Sequence, residues 1–347
     1  MENPKPDLGR SLREFSADWN SDNSRVNRHG FAVLYRKELA DHLESRRFWI
    51  LFFLLLIISM VSLRGALNTI SGAASQASSQ GQSITDFLFL ALFTTSGSSI
   101  YSFSTFLGFL GPIFGIMLGF DAINEERSQG TLNRLAAQPI YRDTIINAKF
   151  CAGATVIFIT IFSIGLLFTG AGIVISGIEP RAEEFARIAI FLLVAAIYIC
   201  VWLSISILFS TLSKHAATSA LGCIALWLFL TMFLSLFASG LANMLYPADS
   251  ARATMMDAIN NYRVRVGFSR ISPYYLFNEV TSVLMNPNIH SLDIMSTLES
   301  EYSQIASYLT LGQSVLQIWP QIVAMFAETV IGFAVAYICF MNREIRA

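Results

Sequence analysis

Charged residues are scarce in this chain. Only 14% of its 347 residues are Asp, Glu, Lys or Arg, whereas 54% are hydrophobic and the mean hydropathy is +0.55. Soluble domains carry about a quarter charged residues, so the composition excludes an ordinary soluble protein and indicates a membrane protein. The net charge of −1 says little about partners. We expect the lipid membrane and other proteins as partners, and no nucleic acid.

Lysine is the rarest charged side chain, and its positions exclude a common nucleotide site. The four lysines are Lys5, Lys37, Lys149 and Lys214, and none follows a glycine. The phosphate-binding motif GxxxxGK[ST] is therefore absent, and we do not expect this chain to hydrolyse ATP or to act as an enzyme.

Residues that ligate metals are also few and scattered. The chain has four histidines, no HExxH motif, and four cysteines that lie within or at the edges of apolar runs. This distribution predicts no catalytic residues, no metal site, no disulfide in the loops and no cofactor bound by this chain.

Long apolar runs are what the chain has in quantity. A helix needs about 20 apolar residues to cross a membrane, and six runs approach or exceed that length. They predict an all-α, polytopic membrane protein with six transmembrane helices, which we number span one to span six. The runs are Phe48–Leu63, Ser102–Phe120, Cys151–Ser176, Ile188–Ser210, Thr218–Leu245 and Trp319–Met341.

Positive charge indicates which side the loops face. Six spans place both termini on one side, and the segments on that side hold 16 of the 23 Lys and Arg residues. Because Lys and Arg favour the cytoplasmic side, we expect cytoplasmic termini, a cytoplasmic 121–149 loop and a plasma-membrane location. The first run follows a long polar leader and does not resemble a cleavable signal peptide. We expect a flexible tail at 1–29, an amphipathic interfacial helix at 30–47, and a transmembrane domain at 48–347 with outer loops 64–101 and 247–318.

Two helical patterns leave alternatives open. Apolar side chains recur at i+4 spacing through Phe31, Tyr35, Leu39 and Leu43, which predicts an amphipathic helix that either anchors the chain at the membrane or braces a cytoplasmic partner. In span two, a glycine stripe permits close approach of another helix. It serves either simple packing or a translocation path or dimer seam, and its members are Gly111, Gly115 and Gly119.

The outer segments contain shorter apolar pieces. Phe87–Phe93 is too short to cross the membrane, so it either extends span two or dips partway in. The segment after span five is long enough to fold over the membrane surface. Within it, Ser272-Pro273 starts an apolar-periodic stretch that Asn286-Pro287 stops, which predicts a capped helix.

Glu328 is the one acidic residue deep within a span. Protonating an ordinary glutamate at pH 7 costs roughly 3.7 kcal/mol, and a charge at mid-membrane costs about 3 kcal/mol. Those figures do not decide its charge state. Glu328 is either a structural acid bonded to a Ser, Thr or Tyr hydroxyl, or a contact for a proton, cation or substrate. No Lys or Arg lies inside any predicted span to pair with it.

The loop between spans two and three is the densest internal block of charge. Asp121 and Glu125-Glu126-Arg127 end span two, Gly130-Thr131 is suited to start a short helix, and Pro139 stops it. Asp143 is placed to cap the next helix. The short helix would carry Leu132 and Leu135 on one face, a form suited to docking on another protein. The alternative is a solvated turn.

The same residues carry a family resemblance. The charged shoulder Glu125-Glu126-Arg127 and the positions after it resemble the cytoplasmic loop of ABC-2-type transporter permeases, including the branch related to the copper-enzyme maturation permease. The later positions are Gly130, Thr131, Leu132, Leu135, Pro139, Arg142 and Lys149. The order of parts agrees along most of the chain.

The resemblance implies a function. In that family the loop is a coupling helix that docks on a separate ATPase subunit, which binds ATP and Mg²⁺. This chain would be the permease subunit of an exporter, with two ATPase subunits and a second copy or a related permease. The alternatives are a secondary carrier that uses Glu328 as a proton site, and a non-transporting anchor or force-transmitting subunit of an envelope machine.

Overall fold

The computed structural model describes residues 30–79, 87–97, 100–128, 141–247, 254–287 and 308–342. All regular secondary structure in these ranges is helical, and six helices are long and apolar enough to cross a membrane. The predicted all-α, six-span architecture is therefore confirmed. The spans are Arg46–Ala73, Phe103–Ser128, Arg142–Ser176, Ala182–Leu212, Ala216–Leu245 and Leu311–Asn342.

The helices extend beyond the apolar runs that predicted them. The helix of span three begins at Arg142, so it includes Lys149, and the helix of span four begins at Ala182, so it includes Arg187. The prediction that no Lys or Arg lies within a span is wrong for this reason. Hydropathy marks only the apolar centre, whereas backbone hydrogen bonding continues through the polar turns at each end.

Span four lies at the centre of the bundle. It is the most buried span and packs against spans two, three and six and the start of span five. Spans five and six are the least buried. Span five is interrupted by a π-helical turn at Phe229–Phe233, between α-helices Ala216–Leu228 and Leu234–Leu245.

A helix precedes span one at the end of the bundle that carries the 121–149 loop, which we call the loop end. This pre-membrane helix covers residues 30–44, and the helix Arg46–Ser79 follows after Ser45. Leu34 is buried in the core. The side chains of the predicted apolar face, Phe31, Tyr35, Leu39 and Leu43, pack against that core. Tyr35 Oη also donates a hydrogen bond to Thr155 Oγ1 of span three (2.8 Å).

The short apolar piece before span two is a separate helix, Leu88–Thr94. It does not extend span two, because the described residues between it and Phe103, 95–97 and 100–102, are not helical. Phe93 packs against Phe103, Phe168 and Phe191 of spans two, three and four, with ring centroids 5.5, 4.6 and 6.1 Å away. The extension of span two is therefore wrong, and the helix packs inside the bundle instead.

Two helices follow span five, Met255–Ser269 and Pro273–Met285, and a turn at residues 270–272 joins them. We call this pair the hairpin, and we call the end of the bundle opposite the loop end the far end. The first runs back along span five, where Asn261 Nδ2 donates to Asn243 Oδ1 (2.7 Å). The second lies against span four, with Phe277 stacked on Tyr198 at 4.7 Å. The predicted helix from Pro273 is confirmed, but Ser272 makes no side-chain cap bond.

The hairpin does not lie across the end of the bundle, although the segment after span five is long enough to do so. Tyr198 lies near the middle of span four, so the second helix begins deep in the bundle and climbs towards the far end. Its apolar positions explain this insertion, since Leu276, Val280, Val283 and Leu284 are all buried against the neighbouring spans.

Candidate functional site

A cluster of charged side chains joins the pre-membrane helix to both ends of the 121–149 loop. Lys149 Nζ lies 2.9 Å from Glu38 Oε2 and 2.8 Å from Glu126 Oε1. Lys37 Nζ lies 3.0 Å from Glu38 Oε1 and 3.0 Å from Asp41 Oδ2. Glu38 therefore bridges two ammonium groups. We call these five residues the loop-end cluster.

Burial makes this cluster more than a surface ion pair. Lys149 and Glu38 expose 6% and 8% of their side chains, so removing one of these charges would leave the other with only one counter-charge in a low-dielectric site. Burial alone would raise the pKa of Glu38, but the ammonium groups of Lys149 and Lys37 outweigh it and hold this pKa below its ordinary value. The neighbouring His42 has its pKa lowered by burial.

The ends of the loop are also bonded to the spans. Ser210 Oγ of span four accepts the backbone N–H groups of Ile123 (3.0 Å) and Asn124 (3.2 Å), where the loop begins. Arg142 Nη2, where the loop ends, donates to the carbonyl oxygen of Phe340 in span six (3.0 Å). An ion pair of 2.7 Å joins Arg47 of span one to Asp121. Displacement of this loop would therefore pull on spans one, four and six through these bonds, in addition to spans two and three, which the loop connects.

The structure describes part of the predicted coupling site. Glu125, Glu126 and Arg127 lie on a short helix, Asn124–Ser128, with Glu126 turned towards Lys149. Asp143 does not cap the next helix as predicted, because that helix already begins at Arg142 after Tyr141. The remaining predicted residues lie outside the described part of the chain: Gly130, Thr131, Leu132, Leu135 and Pro139.

Sequence reasoning missed Lys37, Glu38 and Asp41 of the cluster and Ser210 of span four. Glu38 and Ser210 carry no motif, and their roles depend on partners far along the chain. The one available signal was the position of Glu38. In a helix it lies next to Leu34 and Leu39, on the face that is otherwise apolar.

The glycine stripe of span two faces span four of the same chain. A Cβ added at Gly111 would lie 3.0 Å from Ile199 Cγ1, and one at Gly115 would lie 2.6 Å from the Ile199 carbonyl oxygen. At Gly119 an added Cβ would overlap Ser206 Oγ. The described contacts of the stripe are therefore intramolecular packing contacts.

Glu328 lies on span six with Oε2 buried and no hydrogen-bond partner for that atom. The Ser, Thr or Tyr hydroxyl predicted to bond it is not in place within the described residues. One turn further, a Cβ at Gly332 would lie 2.6 Å from Ser204 Oγ of span four. This face of span six thus packs towards the bundle rather than away from it.

A second buried charge lies at the far end. Arg187 of span four has no exposed surface and pairs with Glu183 at 2.9 Å. It also donates to the carbonyl oxygens of Leu284 (3.0 Å) and Leu309 (2.6 Å) and to Ser314 Oγ (3.1 Å). Arg187 therefore fastens the hairpin and the start of span six to the central helix.

Among the described residues, no group of three or more His, Cys, Asp or Glu side chains is arranged to hold a metal ion. The arrangement at the loop end is instead one that fixes a loop mechanically to several helices.

The sequence comparison identifies the family to which this arrangement belongs. A family model described as ABC-2 family transporter protein matches residues 32–345. The chain belongs to the ABC-2 transporter family. The resemblance inferred from the 121–149 loop is therefore confirmed, and the protein is a membrane permease component of the ABC type.

One curated relative is similar to this chain over a large part of its length. It is the Probable ABC transporter permease protein NosY of Pseudomonas aeruginosa, 26% identical over 207 residues. The aligned region covers 59% of this chain and 68% of that protein.

Proposed function

We propose that this ABC-2 permease is the membrane-spanning subunit of an ATP-driven exporter. In this proposal a separate ATPase subunit, which binds ATP and Mg²⁺, docks at the 121–149 loop. Two ATPase subunits act with two permease chains, either two copies of this one or this one and a related partner. The loop end and both termini face the cytoplasm, and the membrane is the plasma membrane.

The loop-end cluster is the observation that carries the proposal. Glu126 and Lys149 flank the loop on either side and both belong to this cluster, which also holds the pre-membrane helix. A force applied to the loop would reach spans two and three through the backbone and the pre-membrane helix through Lys149. The buried ion pairs resist separation because each charge would lose its counter-charge.

The loop contributes an apolar ridge in this proposal. Leu132 and Leu135 would supply the contact with the ATPase, and the charges at Glu125 and Arg127, which are exposed, would set its register. Closure of the ATPase dimer would move this segment, and spans two and three would transmit the motion towards the far end.

Co-purification tests the docking. Leu132→Asp combined with Leu135→Asp should release the ATPase subunit while the spans stay folded, because two carboxylates cannot be buried in an apolar contact without a partner. The measurement is mass spectrometry of proteins that co-purify with the tagged chain from gently solubilised membranes.

The matched control places two acids at the same end of the molecule. Ala217→Asp with Thr218→Asp alters exposed positions at the start of span five and should leave the ATPase bound. Continued co-purification of the ATPase with the loop variant would contradict the docking site.

A further inference from the structure

Span six carries a row of polar side chains at seven-residue intervals: Ser314, Gln321 and Glu328. Seven residues make nearly two helical turns, so the three side chains share one face and follow each other by about 10 Å. Ser314 accepts from Arg187 (3.1 Å), and Gln321 Nε2 donates to Glu279 Oε2 (3.2 Å). The row therefore descends from the far end to the middle of the membrane.

Two acceptor atoms in the lower part of the row receive no hydrogen bond from the described residues. Gln321 is 5% exposed and its Oε1 has no partner, and the buried Oε2 of Glu328 has none either. Buried acceptors are almost always bonded to something. Two acceptors on one face have no donor among the described residues. They indicate a site for a ligand that can donate hydrogen bonds.

No cation on the neighbouring elements is placed to neutralise Glu328. The elements packed against span six are span four, the helix Pro273–Met285 and span three. Arg187 is bound to Glu183, Arg270 at the tip of the hairpin is bound to Glu279, and Lys149 is bound to Glu38. Arg142 is bonded to the Phe340 carbonyl. The other titratable groups on those elements are Glu184, Tyr198 and Cys200, Tyr274 and Tyr275, and Asp143 and Cys151.

The distance between Gln321 and Glu328 along the helix distinguishes a bound metal ion from a chain of water molecules. A metal ion requires several oxygens at about 2–2.6 Å, and the acceptors of Gln321 and Glu328 are too far apart along the helix to share one. About three water molecules in a chain would bridge the same distance, since each hydrogen bond spans about 2.8 Å. Buried polar atoms without a protein partner are commonly bonded by buried water.

We propose that Glu328 is a proton-binding site at mid-membrane, and that it exchanges its proton with the far side through water held along Gln321 and the Arg270–Glu279 pair. The proton adds to the Glu328 carboxylate to give the neutral acid and comes from bulk water at the far end. Protonation removes a charge that lacks a counter-charge. This site does not require the ATPase partner and extends beyond the proposed docking function.

An apolar carbodiimide tests the site directly. Such reagents add to a protonated carboxyl group in apolar surroundings and leave a stable N-acylurea on it, which peptide mass spectrometry locates. In membranes containing the full-length chain near neutral pH, Glu328 should be modified and Glu328→Gln should carry no adduct there. An absence of adduct on Glu328 until the pH falls to the ordinary range of a glutamate, about 4–5, would overturn the proposal.

The route is tested in sealed vesicles of known orientation. Raising the pH by about two units on the far side alone should reduce the Glu328 adduct at least about tenfold. Gln321→Leu should weaken this response, whereas Gln313→Leu, an exposed position off the row, should not. An adduct that follows the pH of the loop side, or that ignores Gln321→Leu, would overturn the far-side route.

Discussion

Arg187 shows what one side chain contributes at the residue scale. Its guanidinium is fully buried and bonds to a carboxylate, two backbone carbonyls and a hydroxyl drawn from three separate segments. A planar group with five N–H donors suits this role, and a lysine could not reproduce it. Burial of the charge is tolerated because each donor direction finds an acceptor.

Replacing this side chain should destabilise the bundle. We expect Arg187→Met to lower the free energy of unfolding by about 3 kcal/mol, because Glu183 and two carbonyl oxygens would lose their donor. Thermal unfolding in detergent measures this. Arg64→Met, at an exposed position of span one, is the control. Equal melting temperatures for the two variants would contradict the role given to Arg187.

At the scale of the helices, the main feature is the close packing of spans two and four. The three glycines of the stripe in span two, Gly111, Gly115 and Gly119, leave room for Ile199, the backbone of span four and Ser206. Backbones that approach this closely gain dispersion contacts, which substitute in a membrane for the missing hydrophobic effect.

Two glycine-to-alanine changes should therefore differ in their effect on stability. Gly115→Ala should destabilise by about 1–3 kcal/mol, because the new methyl group would meet the Ile199 carbonyl oxygen at 2.6 Å. Gly170→Ala of span three meets nothing within 4 Å and should be neutral or stabilising by up to about 1 kcal/mol. Comparison of unfolding temperatures decides this, and a loss of stability at both positions would argue against close packing as the cause.

The hydropathy pattern predicted that these helices exist. It did not predict equally well where they begin and end or which other helices they contact. The six spans and the helix from Pro273 follow from local periodicity, so the sequence contains enough information for them. The start of span three at Arg142 and the insertion of the hairpin do not follow from it. Both depend on partners from distant segments, such as Phe340 for Arg142 and Tyr198 for Phe277.

On the scale of the whole molecule, the loop-end cluster links motion of the 121–149 loop to the pre-membrane helix and the bundle. Spans two and three enter it through Glu126 and Lys149, and spans four and six hold the same loop through Ser210 and Phe340. The far end is held separately by Arg187. Two fastened ends joined by a tightly packed centre suit a subunit that transmits a displacement across the membrane.

Breaking the cluster should therefore uncouple the complex without dissociating it. We expect Lys149→Met to leave the ATPase subunit bound, to increase the mobility of a spin label at the exposed Val33, and to reduce ATP hydrolysis by the reconstituted complex several-fold. Without Lys149, the buried Glu38 would keep only the half-exposed Lys37 as its counter-charge, which favours release of the pre-membrane helix. Lys214→Met, at an exposed position of the same end, is the control. Unchanged label mobility in Lys149→Met would contradict the linkage.

The amino-acid sequence by itself determined the class of this protein: a six-span, all-α membrane chain without an ATP-binding lysine motif, and with a loop of the ABC-2 type. These properties are local, because composition, apolar run length and short motifs are each contained within a few tens of residues. Only the tertiary structure decided which charges meet. Lys149 and Glu38 are separated by 111 positions, and Arg187 and Ser314 by 127, so their pairing is a consequence of how the helices pack.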